Sequence, residues 1–148
     1  MKTIYFYRKN HPYFELTNFS EHPISIDGIK FLTNEHYFQW SKFTHSEHKM
    51  RILQAKTPGE AKRLGASRQF PIRSDWDTER INVMRRALWA KFTQHPQLRD
   101  LLLSTGDAIL IEDSPTDYFW GCGKNRTGRN MLGKLLMELR RELRILFK

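Results

Sequence analysis

The apolar residues of this chain change their spacing near residue 34, and that change limits the folds open to it. Before it, TIYFY at 3–7 and ISIDGIKFL at 24–32 are short runs of β-branched and aromatic residues, the composition of strands. Asp27-Gly28 between the two halves of the second run is a hairpin signal. After it, the spacing becomes helical. Asn34 is placed to cap a helix from Glu35 to Phe43, and Ser46 to cap another through Leu53. Thr57-Pro58-Gly59-Glu60 reads as a capping box with proline in the first turn, and Gly65 is expected to end that helix. Ser74 opens the next, in which Ile81, Met84, Leu88 and Phe92 recur on one face. Pro96 starts a helix through about Leu103, and a short strand is expected at 109–112. A Pro-, Gly- and aromatic-rich loop follows, and Leu132, Leu135, Leu136, Leu139 and Leu143 form the apolar stripe of a closing helix. The sum is an α+β fold, mainly helical, a single domain over residues 1–148 with a few short β-strands that carry loops.

Length and composition narrow the class. With 148 residues and 39% hydrophobic content, the chain can bury a core of its own. Its one cysteine, Cys122, cannot make an internal disulfide, which fits a reducing compartment. Arg8, Lys9 and Asn10 fall where a secretory signal would carry its apolar stretch, and nowhere does an apolar run approach the roughly 20 residues that span a bilayer. A soluble, cytoplasmic protein without a membrane partner is expected. Twenty-five Lys and Arg against sixteen Asp and Glu give a net charge of +9, which favours a phosphate-bearing partner: a nucleotide, a sugar phosphate or nucleic acid.

Two segments can hold chemistry. In a helix through 35–43, steps of four and three residues put Glu35, Gln39 and Lys42 on one side. That is either a solvated face or a carboxylate and an amine projecting together into a pocket. The loop from Ser114 to Gly128 brings Asp117, Tyr118, Phe119 and Trp120 beside Gly121, Gly123 and Gly128. Loops of that length are often functional, but an aromatic run in a loop also serves core packing. Arg63, Arg68, Arg73, Lys124, Arg126 and Arg129 lie beside turns or helix ends, where phosphate can be held. The six histidines show no metal-site spacing, and neither a metal nor another cofactor is called for.

Five segments taken together, LTNFS at 16–20, NEHYFQWSKF at 34–43, MRRALWAKF at 84–92, TDYFWGCG at 116–123 and GRNMLGKLLMELR at 128–140, resemble the successive motifs of the NADAR/YbiA-like family across nearly the whole chain. The resemblance implies a mainly helical α+β fold and hydrolysis of N-glycosidic bonds. It also implies a substrate class: phosphorylated ribosylamines that are intermediates of riboflavin biosynthesis or, in other members, ADP-ribose on guanine, with ADP-ribosylated DNA as a possible partner. Position by position it points to Glu35, Lys42 and Asp117 as catalytic, and to Asn18, Phe19, Arg73, Trp76, Trp120, Gly121 and Asn130 as substrate-binding; Gln39 joins the substrate-binding set through its place on the face of Glu35 and Lys42. Gly128 and Gly133 fall in its closing motif. Cys122 stands where the family pattern has an acidic residue, so it is assigned no catalytic task. Lys42 as a nucleophile brings a tension: a nearby carboxylate favours the charged amine, whereas attack requires the neutral one. The competing function class is a module that binds ADP-ribose, nucleotides or nucleic acid without turnover.

Overall fold

The computed structural model describes residues 2–147, so Met1 and Lys148 of the expected domain lie outside the described residues. Among the described residues, six α-helices and four short strands form two compact units, one of the residues up to Thr17 with those from His95 onward, the other Asn18–Gln94. This is the expected mainly helical α+β architecture.

In the unit of residues 18–94, strands β1 (Ile24–Ile26) and β2 (Ile29–Phe31) pair antiparallel around Asp27 and Gly28. Both turn residues have positive φ, 52° and 80°, the backbone that a two-residue hairpin with right-handed strand twist requires. Helix α1 (Asn34–Ser41) is flanked by α2 (Ser46–Gln54), α3 (Pro58–Ala66) and α4 (Trp76–Gln94). Its near-total burial explains why it shows no clean amphipathic stripe. Two caps differ from expectation. Thr33, not Asn34, caps α1, its extended backbone letting the hydroxyl accept from the His36 N–H, while the Asn34 amide donates to Asn18 Oδ1. His45, not Ser46, caps α2 through its ring nitrogen.

Thr57 caps α3 as expected, and Glu60 reaches back to the Lys56 N–H. Gly65, however, lies inside α3, which ends one residue later with Ser67 as its cap. Helix α4 begins at Trp76, two residues after Ser74, and buries Met84, Leu88 and Phe92 of its predicted face, with Ile81 half-buried.

In the other unit, β3 (Thr3–Phe6) and β4 (Ile109–Glu112) pair in parallel, Thr3 beside Ile109 and Phe6 beside Glu112. Between them in sequence lies α5 (Pro96–Ser104), and the closing helix α6 (Met131–Leu146) packs on β4 and α5. All five leucines of its predicted stripe are buried. Among the described residues no helix is long and apolar enough to cross a membrane.

Candidate functional site

Helix α1 sets the first constellation. The carbonyl of Asn18 accepts from the Glu35 N–H at 3.1 Å, and the Asn18 side chain lies between Asn34 and the Met84 sulfur. A loop residue thus fixes the first turn of the helix that carries Glu35. Four residues on, the Gln39 amide donates to Glu35 Oε2 at 2.6 Å, and both side chains are buried. Such a short bond to a carboxylate holds the acid in one orientation. Gln39 in turn fills the space that any side chain at position 65 would need: a Cβ on Gly65 would stand 1.9 Å from Gln39 Oε1. Gly65 is therefore a point of close approach rather than a helix stop.

Lys42 caps the end of α1 and donates from Nζ to the Gly65 carbonyl at 2.9 Å. Burial holds the amine below the ordinary lysine value, the Arg68 guanidinium pushes the same way, and Glu35 opposes them. Arg68 is kept there by its bonds to the carbonyls of Ala66, Ser67 and Gly65 at the end of α3. In sequence, Arg68 is only one of several basic residues near turns. Local sequence carries no sign of its role, because the approach of α3 to α1 is a tertiary event.

The other expected residues of this unit divide by environment. Trp76 is buried with its ring 4.9 Å from Phe38, as packing. Arg73 grips Asp75 through two bonds and also reaches the Ser41 carbonyl. Phe19 is half-buried, and the Lys62 ammonium lies 5.7 Å from its ring centre.

The second constellation is the loop between β4 and α6. Asp117 Oδ1 accepts from the N–H groups of Phe119 and Trp120 at 2.9 and 2.8 Å, while the Ser114 hydroxyl receives the Asp117 N–H. The acid thus organises the turn that carries Trp120, which is half-buried and edge-on to Phe119. Gly121 has backbone oxygens of Asp117 and Glu112 at 3.0 Å from where a Cβ would stand. Asn130, in a left-handed conformation, clasps β4: its Oδ1 receives the Glu112 N–H and its Nδ2 donates to the Leu110 carbonyl, both at 2.9 Å. The sequence points to Asp117 as catalytic and to Asn130 as substrate-binding; in the structure both side chains also do work within the fold through these contacts. Cys122 is buried, and burial with the Asp113 carboxyl raises its thiol pKa above the usual value, the opposite of a reactive cysteine. Among the described residues no three His, Cys, Asp or Glu side chains gather as a metal site.

Comparison with known proteins adds to this geometry. The sequence model of the NADAR domain matches residues 5–144. An N-glycosidase of Nostoc punctiforme, Npun_R5314, is 46% identical over 145 residues, covering 96% of this chain and 93% of the relative. The N-glycosidase YbiA of Escherichia coli is 44% identical over 142 residues, covering 96% and 89%. The NMR structure of E. coli YbiA superposes with a TM-score of 0.92 at 43% identity, over 98% of this chain and 86% of that one. The maize riboflavin biosynthesis protein PYRR, chloroplastic, is 41% identical over 155 residues, covering 95% of this chain but 25% of the relative.

Proposed function

We propose a substrate and a mechanism on one premise: the chain belongs to the NADAR domain family, and it is an N-glycosidase, a hydrolase of N-glycosyl compounds. The substrate proposed is a phosphorylated ribosylamine of the kind formed in riboflavin biosynthesis. Support comes from the maize relative, a riboflavin biosynthesis protein by name, and from the +9 charge, which suits a phosphorylated ligand.

The observation that carries the mechanism is the half-buried Lys42 amine, held on the Gly65 carbonyl, below its ordinary pKa and within electrostatic reach of the buried Glu35. Burial and Arg68 support this reading against the tension raised by a lysine near a carboxylate, since both shift the amine toward the neutral form that a nucleophile requires. In the reaction the amine lone pair attacks the anomeric carbon. The C–N bond breaks with its electron pair going to the leaving nitrogen. Glu35 takes the proton from the alkylated ammonium and passes it to that nitrogen. The glycosylamine on Lys42 then opens, its N–H proton going to the ring oxygen, and leaves an imine. Water adds to the imine and releases the free aldose and the amine. Gln39 orients Glu35 and Asn18 anchors its helix turn, and Arg73 and Phe19 belong to the same unit. In the other unit, Asp117 holds the turn that carries Trp120.

The test is trapping. Substrate with borohydride is expected to yield intact protein heavier by the sugar, with the adduct mapped to Lys42, and neither Lys42→Ala nor Lys42→Arg traps or turns over. Arginine keeps the charge but does not deprotonate. If Lys42→Arg retained most of the activity, covalent catalysis would be wrong and Glu35 activating water would replace it. Offering ADP-ribosyl-guanine in DNA beside the ribosylamine decides the leaving group from relative rate constants. Saturable binding without base release from either would instead indicate a binding module.

A further inference from the structure

The alternation of TIYFY places Ile4 and Phe6 inside and Tyr5 and Tyr7 outside, the two tyrosines 42% and 41% exposed. Their exposed side borders a cavity of about 540 Å³ whose lining belongs wholly to the unit of residues 1–17 and 95–148 and includes none of the residues given roles above. A volume of this size suits a small ligand. Three features define its chemistry. Arg8, Lys124 and Arg126 line it against one carboxylate, Asp113. That carboxylate is already used: Asp113 Oδ2 lies 3.6 Å from the Arg126 guanidinium, and the Cys122 thiol is 3.5 Å from its other oxygen. Arg8 and Lys124 are therefore left with no acid in the lining. Arg126 is also set in place, its guanidinium 4.2 Å from the Tyr5 ring centre and its backbone fixed in a tight turn with Gly123. A planar cation already stacked and paired loses little freedom when it meets a ligand.

We propose that this cavity is a binding site for a phosphomonoester carrying a planar ring, a nucleoside monophosphate being the simplest case. Arg8 and Lys124 take the phosphate. The tyrosine rings and the Arg126 plane take the ring by stacking. A single carboxylate, neutralised by Arg126, keeps the net field positive without barring an anion.

Calorimetric titration of the full chain with AMP, adenosine and ribose 5-phosphate tests this. AMP is expected to bind, with adenosine at least about tenfold weaker for want of phosphate and ribose 5-phosphate about threefold or more weaker for want of the ring. Arg8→Ala combined with Lys124→Ala is expected to weaken AMP at least tenfold and Tyr7→Ala about threefold. All three residues are exposed, so melting temperatures serve as the folding control. Glu35→Gln is expected to leave AMP affinity unchanged, which keeps this site separate from the hydrolytic reading. The proposal is overturned if AMP binds no tighter than adenosine, if the Arg8/Lys124 variant binds as the parent does, or if Glu35→Gln alone abolishes binding. It is equally overturned if only an oligonucleotide binds, with a salt dependence of several phosphate contacts.

Discussion

Gly65→Ala separates the two readings of position 65. If the glycine merely ended a helix, alanine within α3 would be neutral or stabilising by up to about 1 kcal/mol, since φ there is not positive and alanine is the better helix former. The structure predicts the reverse. The new Cβ would fall 1.9 Å from Gln39 Oε1 and 2.5 Å from its Cδ, so the buried amide has to move and its 2.6 Å bond to Glu35 is lost. Overpacking costs about 1–3 kcal/mol and loss of a hydrogen bond to a charged group about 1.5–3 kcal/mol. Relaxation makes these overlap, so a net loss near 2 kcal/mol is expected, a fall of about 4–8 °C in melting temperature for a chain of this size. Base-release kinetics should lose about 10–100-fold in kcat/KM because the carboxylate loses its orientation. The double-mutant cycle is decisive. In a Gln39→Ala background there is nothing to collide with, and Gly65→Ala should cost nothing or stabilise, a coupling of about 1–3 kcal/mol. Equal destabilisation in both backgrounds would refute the close-approach argument.

Other outcomes follow from the same contacts. Because burial and Arg68 lower the Lys42 pKa, the neutral amine gains population as pH rises toward 10.5 from below, and kcat/KM should rise over that alkaline range. Arg68→Ala removes one lowering influence, so the rise should move to higher pH, with activity reduced at pH 7, recovered at high pH, and restored throughout by Arg68→Lys; an unmoved profile would exclude Arg68 from the tuning. Asn130→Ala loses both bonds to β4 and should destabilise by about 2–3 kcal/mol in a denaturant titration, whereas a ligand-only role would leave stability unchanged. Asp117→Asn keeps an oxygen that can accept from the Phe119 and Trp120 N–H groups and should retain activity within about threefold, while Asp117→Ala should lose tenfold or more; a dead Asn variant would return Asp117 to proton transfer.

Periodicity and turn chemistry carried the fold a long way. The Asp27-Gly28 hairpin, the Thr57 cap and the leucine stripe of α6 are local events, decided by backbone conformation and apolar spacing within a few residues. What the sequence did not disclose is non-local. The parallel pairing of Thr3–Phe6 with Ile109–Glu112 joins segments about a hundred residues apart, and no local signal specifies a partner at that range. The cap positions moved by one residue because Thr33 and His45 compete with Asn34 and Ser46 for the same N–H groups, and the tertiary demand of Asn18 for the Asn34 amide decides the first case.

The candidate site shows the same division, with a further lesson about polar residues in small domains. Glu35, Gln39 and Lys42 were readable as a trio because helical spacing alone brings them to one side. A solvated face was the competing reading, and the burial of Glu35 and Gln39 removes it. Asp117 and Asn130 resemble ligand-binding residues in sequence, since short amides and acids in glycine-rich loops serve ligands and turns alike. Here one caps two backbone N–H groups and the other substitutes for a strand neighbour of β4. A buried backbone group without a partner costs about as much as a lost hydrogen bond, so a loop that cannot form a ladder must recruit side chains to do the same work. The residues that hold such a loop are then as sensitive to substitution as the residues that touch substrate, and activity alone cannot tell them apart. Stability measured beside turnover can, so the Asn130 and Asp117 variants call for both measurements.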